Sequence, residues 1–437
     1  MRAVAALLFL FTLQGPAPDY ATLGRQLVGE FAARQFGTIE ASFSPPVAQA
    51  LPEAKLTAIW TSILDQEGAF QSISNIKVVA VQGAHQVTLG CTFANGPLDV
   101  QASFDARGKV IGLFFRAGVE TAAPWSPPDY AEPAKFHEDP VAIGWGSSNV
   151  NGTLTLPNGA GPFPAVILVG GSGSNGENET IGSIEVFKDL AWGLASRGVA
   201  VLRYPKSKSV AGQFTVKDEY TDEAAAAIAL LGHQPGIDAK RIFLLGHSEG
   251  GYIAPRIAAK DEKSLAGIIL AAANVSPLEK LIVDQVRYLA PLEGATPAQT
   301  DMAVAAAQAA AERVESPSLK AGDTVELAGS TMPASYFLDL REYHPAAVAA
   351  QLTIPILVLE GALDYQVPKS EFALWQRALA SHKNASFHLY PSLTHLFTPA
   401  AAGETLSTPS DYQRPEHVDA AVVRDIGNWI VASGAAQ

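Results

Sequence analysis

The stretch Arg241-Ile242-Phe243-Leu244-Leu245-Gly246-His247-Ser248-Glu249-Gly250-Gly251-Tyr252 decides how the chain reads. Residues 242–245 are a short apolar run of the kind that makes a buried strand, and from Gly250 onward the spacing turns helical. Between them Gly246-His247-Ser248-Glu249-Gly250 fits Gly-x-Ser-x-Gly, the sharp turn that carries a nucleophile from a strand into a helix. A turn that tight needs small residues flanking the serine. It thrusts the hydroxyl above the sheet edge on strained backbone, at the positive end of a helix. An ordinary helix-capping serine is the competing reading. A strand before the pentapeptide and a helix after it favour Ser248 as a nucleophile.

A serine hydroxyl is a weak nucleophile until a base takes its proton, and the base has to be held by an acid. Two downstream strands end in suitable residues. The run 356–359 leads into Glu360-Gly361-Ala362-Leu363-Asp364, and the run 386–390 into Pro391-Ser392-Leu393-Thr394-His395. Each puts its residue in a loop at the carboxyl end of a strand. The chain order Ser248, Asp364, His395 is the nucleophile-acid-base order of hydrolases on doubly wound sheets. Glu360 competes with Asp364 but is still on its strand. Of nine histidines, His395 alone is well placed: His247 is pinned beside the nucleophile, and His388, inside a strand, reads as a packed imidazole.

The oxygen that becomes negative during attack needs two donors. One is the backbone N–H of Glu249. The other is expected from the glycine-rich loop Val169-Gly170-Gly171-Ser172-Gly173-Ser174-Asn175-Gly176, at Ser172 and Gly171, where main chain can approach a substrate closely. The same loop imitates a dinucleotide fingerprint through Gly171, Gly173 and Gly176. That reading fails because the third glycine should lie inside an opening helix, whereas a helical pattern begins only near Ile184. No His-Glu-x-x-His occurs, and His137-Glu138-Asp139 is a lone triplet, so no metal and no cofactor is expected. The basic turn Arg203-Tyr204-Pro205-Lys206-Ser207-Lys208 reads as a solvated loop in preference to a cleft wall.

Around the motif, apolar runs at 165–169, 200–203, 241–245, 266–271, 356–359 and 386–390 alternate with helical patterns at 187–197, 219–231, 250–260, 369–382 and 415–432. Continuous apolar strands alternating with helices mean a parallel sheet covered on both faces. An insertion of about 80 residues, 274–352, leaves and re-enters the carboxyl edge of that sheet, the place for a helical lid. Its Tyr336, Phe337 and Tyr343 are candidates for substrate binding, with packing of the lid an equal alternative. Upstream, two helical stretches (20–35 and 55–66) precede four alternating strands (76–81, 86–93, 98–104, 110–115), an α+β roll. Cys91 falls inside the second of these strands and reads as a small buried residue. The expected organisation is thus a signal peptide at 1–17, a small α+β domain at 19–118, a proline-rich linker at 119–139 and the α/β domain at 140–437.

Composition narrows the partners. The chain has 437 residues with 30 Lys+Arg against 43 Asp+Glu, a formal charge of −13. No basic cluster interrupts that acidic balance, so nucleic acid is not expected as a partner. At 48% hydrophobic and 17% charged the chain is far from the regime of disorder. One cysteine allows neither an internal disulfide nor a cysteine metal cluster. Arg2 followed by the apolar run 3–13 resembles a secretory leader; it is too short to span a bilayer, which takes about 20 residues. Export to the periplasm or medium is the expectation, with no membrane span; oligomeric state is unread.

From about Asp139 to Gln437 the chain resembles the α/β-hydrolase family. Several segments are similar to a bacterial exported serine-esterase subgroup: Gly152-Thr153-Leu154-Thr155-Leu156-Pro157, Gly170-Gly171-Ser172-Gly173, Phe187-Lys188-Asp189-Leu190-Ala191, Gly246 to Gly251, Asp364-Tyr365-Gln366-Val367-Pro368 and Leu393-Thr394-His395-Leu396-Phe397. In that subgroup a domain of unknown function precedes the hydrolase, and residues 19–118 look similar to it. Pro205-Lys206-Ser207 stands where the subgroup carries Asp-Lys-Arg. The resemblance implies a doubly wound, mostly parallel sheet with a helical lid. It also implies hydrolysis of small carboxylic esters with Ser248, Asp364 and His395 as triad. Thioester hydrolysis and prolyl-oligopeptidase-like peptide cleavage use the same groups, and a non-catalytic binding protein on a hydrolase scaffold is the alternative from another class.

Overall fold

The computed structural model describes residues 18–81, 84–117, 125–146, 148–173, 176–206, 214–327 and 330–433. The expected signal peptide lies outside them, as do the residues around 118–124 at the start of the expected linker. The chain divides into two compact units, residues 1–122 and 123–437.

In the first unit, helix Tyr20–Ala32 starts at Asp19, whose carboxylate accepts the backbone N–H groups of Ala21 and Thr22. Helices Phe36–Ser42, Pro45–Ala50 and Glu53–Glu67 follow; the first two are too short to show a period in the sequence. The strands Phe70–Val81, Ala84–Phe93, Pro97–Phe104 and Val110–Ala117 form a meander in sequential order. Trp60 packs edge to face on Phe93 and tilted against Phe31 between the helices and the sheet. Cys91 is 1% exposed, and burial pushes its thiol up to about 12, which makes it inert packing.

The second unit is built on eight strands, β1 (Phe136–Trp145), β2 (Ser148–Pro157), β3 (Phe163–Val169), β4 (Ala200–Arg203), β5 (Ile237–His247), β6 (Gly267–Ala271), β7 (Ile356–Gly361) and β8 (Ala385–Tyr390). Their order across the sheet is β8-β7-β6-β5-β3-β4-β2-β1, with β3 to β8 parallel and β2 antiparallel to both β1 and β4. Helices Val186–Ala195 and Ala420–Ser433 cover one face, and Asp222–His233, Glu249–Lys260 and Lys369–Ala378 the other. The central strands are apolar throughout because both faces are dry, and Ala165, Val166, Ile167 and Leu168 are each fully buried.

The expected linker is corrected here. Residues 136–139 belong to β1, an edge strand in which Pro140 stands opposite Thr153. Proline and charge are tolerated at an edge, and this is why His137-Glu138-Asp139-Pro140 did not read as a strand. The insertion between β6 and β7 contains helices Leu278–Leu292, Pro297–Glu315, Ala334–Leu340 and Pro345–Ala349, and also a small hairpin, Thr324–Leu327 with Ser330–Pro333. Among the described residues no helix is long and apolar enough to cross a membrane.

Candidate active site

The carboxyl ends of β3, β5, β7 and β8 converge on one rim of the sheet. At the end of β5 the chain turns into helix Glu249–Lys260 through Ser248, which sits at φ 53°, a left-handed conformation that costs a non-glycine residue energy. The serine N–H donates to the Ala271 carbonyl at 2.8 Å, so β6 steadies the turn. The flanking glycines are steric necessities. A Cβ on Gly246 would lie 2.2 Å from the Gly250 oxygen, and one on Gly250 would lie 2.2 Å from the Val169 oxygen on β3.

Asp364 lies in the turn after β7 and is 1% exposed. One carboxylate oxygen accepts the N–H groups of Gln366 and Val367 at 2.6 and 2.9 Å, and the other is 2.6 Å from Nδ1 of His395, which is 3% exposed. A carboxylate can only accept, so Nδ1 of His395 carries the proton and Nε2 presents a lone pair. Glu360, the competitor, is buried and bonds its neighbour's N–H. Burial first and the adjacent Asp364 charge second push its carboxyl well above the usual range. Asp364 is therefore the acid that meets the imidazole.

His247 joins the two halves of the site. Its ring centroid is 4.8 Å from that of His395, and its Nε2 is 2.9 Å from the His395 carbonyl, which can only accept. Its Nδ1 faces the Glu179 carboxylate at 3.0 Å. Burial, the largest single influence, would lower the pKa of this ring, but the Glu179 charge and contact, the His395 carbonyl and the Asp364 charge together outweigh it and raise it above the ordinary histidine value. Of the other histidines, His388 is half exposed near Asp425. It is not a packed imidazole, because β8 is an edge strand with one face in water.

Ser248 opens into a cavity of about 460 Å³ lined by Ser172, Glu249 and Tyr336, and by apolar residues of the insertion such as Leu278, Ile282 and Leu340. Three sequence expectations need correction. Phe337 and Tyr343 do not line this cavity: Tyr343 donates its hydroxyl to the Tyr252 carbonyl at 2.8 Å and so fastens the insertion to the helix after Ser248, and Phe337 is 2% exposed and packs edge to face on Tyr336. Gly171 is not an available oxyanion donor, because its N–H is taken by Glu179 Oε1 at 2.5 Å. The turn after β4 is not solvated as far as Lys206, the last of its described residues: Arg203 is 2% exposed and paired with Glu138, and Lys206 lines the cavity.

Lys206, Glu219 and Tyr220 are the site residues that the sequence did not show. Lys206 Nζ donates to the Gly171 carbonyl at 2.6 Å, to Glu219 at 3.1 Å and to the Tyr220 hydroxyl at 2.9 Å. Glu219 and Tyr220 are consecutive in a π-helical turn, Lys217–Thr221, and both reach Lys206. No sequence period carries that signal.

Glu249 is 7% exposed. Its carboxylate takes the Tyr336 hydroxyl at 2.5 Å and the Tyr220 hydroxyl at 3.2 Å. Burial raises its pKa, while Lys206 and the two phenols offset that only in part. The folded carboxyl therefore holds its proton more tightly than the unfolded one. Its contribution to stability is whole below the ordinary value of 4.5 and is lost as pH rises through the raised value. Tyr336→Phe removes a donor to the charged form. Its expected cost is about 0.5–1.5 kcal/mol near pH 4.5 and about 1.5–3 kcal/mol at pH 8. Urea unfolding at the two pH values checks this, and an equal loss at both would count against the Glu249 contact.

Residues 175–398 match a family model described as serine aminopeptidase, S33, and residues 25–113 match one described as a protein of unknown function, DUF3887. The chain is 34% identical over 393 residues to esterase EstD of Thermotoga maritima, covering 89% of this chain and 90% of that one. Among solved structures it is similar to Est1E from Butyrivibrio proteoclasticus, at 16% identity, 68% and 99% coverage of the two chains and a TM-score of 0.46. It is also similar to brefeldin A esterase, described as a bacterial homologue of human hormone sensitive lipase, at 14% identity, 73% and 82% coverage and a TM-score of 0.46.

Proposed function

The chain belongs to the α/β-hydrolase family, and from that premise we propose that it is a serine carboxylesterase working through an acyl-enzyme on Ser248. The observation that carries the reading is the buried contact of 2.6 Å between Asp364 and His395 at the same sheet rim as the strained Ser248 turn. His395 takes the Ser248 proton through Nε2 as the hydroxyl attacks the ester carbonyl, and Asp364 stabilises the imidazolium that forms. The N–H groups of Glu249 and Ser172 receive the oxyanion. Collapse of that intermediate expels the alcohol, which leaves with the proton from His395. Water, deprotonated by the same imidazole, then releases the acid.

The cavity supports a small, largely apolar substrate, since its volume of about 460 Å³ is within the range of small-molecule sites, roughly 300–1,000 Å³. An aminopeptidase needs a carboxylate to take the substrate's ammonium. Both carboxylates described in the cavity wall are already held, Glu219 by Lys206 and Glu249 by Tyr220 and Tyr336. The relative with which the chain shares identity over 89% of its length is named an esterase, which favours ester over peptide.

The test is covalent and catalytic together. A fluorophosphonate probe should modify Ser248, located by peptide mapping, and p-nitrophenyl butyrate and octanoate should turn over while a proline-containing peptide amide does not. Folded protein that resists the probe and leaves the esters intact would overturn the reading.

A further inference from the structure

Gly171 is held at both ends. Its N–H donates to the buried carboxylate of Glu179 at 2.5 Å, and its carbonyl accepts from Lys206 Nζ at 2.6 Å and lies 3.1 Å from the Tyr220 hydroxyl. The loop presses against the nucleophile, because a Cβ on Gly171 would lie 3.0 Å from that of Ser248. In a planar trans peptide the carbonyl of one residue and the N–H of the next point in opposite directions. Whatever fixes the Gly171 carbonyl therefore aims the Ser172 N–H.

We propose that Lys206, assisted by Tyr220, is a positioning residue for the oxyanion hole: it anchors the Gly171 carbonyl and thereby holds the Ser172 N–H on the substrate side. The proposal rests on the serine-esterase reading of Ser248. All three ammonium hydrogens of Lys206 are committed, to Gly171, Glu219 and Tyr220, so the cation is oriented and cannot wander among acceptors. Its side chain is 10% exposed, so the charge acts through little water. A cation on a peptide carbonyl also polarises the unit and strengthens its N–H as a donor. Tyr220 completes the arrangement, since its hydroxyl touches the Gly171 carbonyl and the side chain of Glu249, whose backbone N–H is the other donor. Both donors to the oxyanion are thus braced by one buried cluster made of the turn after β4 and the π-helical turn 217–221.

The experiment separates positioning from charge balance. In the full-length protein, Lys206→Met is compared with Lys206→Met/Glu219→Gln, which also neutralises the abandoned carboxylate, and with Tyr220→Phe. Loss of one oxyanion donor costs about 10²–10³ in kcat. A donor left present but loosely aimed should cost somewhat less, about 30- to 300-fold for Lys206→Met, with KM for p-nitrophenyl butyrate within about twofold. An aryl trifluoromethyl ketone adds to the serine and forms a tetrahedral oxyanion, so its inhibition should weaken by the same factor as kcat. The double variant should recover none of this. Tyr220→Phe, a milder change should Lys206→Met fail to fold, should show a smaller loss, again in kcat and in ketone affinity together. A loss confined to KM, a kcat within about threefold of the parent in both single variants, or recovery in the double variant would overturn the positioning role. Parent protein inactive on esters, or Ser248→Ala still active, would overturn the esterase reading itself, whatever Lys206 does.

Discussion

Ser248→Ala is expected to lower kcat on p-nitrophenyl butyrate by about 10⁵-fold or more while leaving KM and the melting temperature nearly unchanged. Without the hydroxyl no acyl-enzyme forms. What remains is water attacking a carbonyl that the Glu249 and Ser172 N–H groups still polarise, worth about 10³–10⁴ over the uncatalysed rate. The fold should not notice the change, because the φ of 53° at this position is imposed by Gly246, Gly250 and the bond to Ala271, and alanine inherits it. Asp364→Asn is the companion test. An asparagine that offers its amide N–H to Nδ1 selects the tautomer that puts the proton on Nε2, so kcat should fall by about 10⁴ with the serine intact. Steady-state kinetics beside thermal melts decide both. A Ser248→Ala protein within 100-fold of the parent would strip Ser248 of its role.

The second large effect is structural and needs no substrate. Gly250→Ala adds one methyl, the smallest possible change, where a Cβ would be 2.2 Å from the Val169 oxygen and 2.6 Å from the Gly170 oxygen. Neither neighbour can give way. They are main-chain atoms at the end of β3, and β3 is bonded on both sides, to β5 and β4. The helix has to lift off the sheet, which is expected to cost at least about 3 kcal/mol, beyond the usual range for overpacking. For a unit this large that corresponds to at least roughly 4–5 °C in melting temperature. Activity should fall further than stability at assay temperature, since the displaced atoms lead directly into the Gly171-Ser172 loop, and a misplacement of about 1 Å costs on the order of 10²-fold. Calorimetry and kcat on the same preparation test it. A melting temperature within about 2 °C of the parent would mean that the contact of β3 with the helix is looser than its spacing indicates.

The parts of the site that could be read from the sequence are those whose local chemistry is self-announcing. Ser248 sits in a pentapeptide whose glycines have a single steric reason, Asp364 follows an apolar run that can only be a buried strand, and His395 follows the last strand of the alternating pattern. The lid was visible because a long stretch of helix formers interrupts strand alternation. β1 was missed because an edge strand need not be apolar, and Pro140 argued against it. Lys206, Glu219 and Tyr220 were missed for another reason. The turn after β4 looks like any basic loop, and the π-helical turn whose two successive residues reach Lys206 leaves no period to detect. Phe337 and Tyr343 carried the right chemistry for a pocket wall, yet the choice between wall and packing depends on how the insertion lands.

By itself the sequence determined the layered α/β architecture, the roll before it and the identity of the three residues most able to perform acyl transfer. Strand burial, turn sterics and the order of elements are local or nearly so, and each leaves a mark on neighbouring residues. Only the tertiary structure decided which groups around them are neutralised, aimed or closed off: that Glu179 occupies the Gly171 N–H, that Lys206 occupies its carbonyl, and that Glu249 is held by Tyr220 and Tyr336. Those contacts join residues up to 87 positions apart. A buried charge finds its partner wherever folding delivers one, because desolvation makes an unpaired charge too costly to keep, and that requirement constrains space without constraining spacing along the chain.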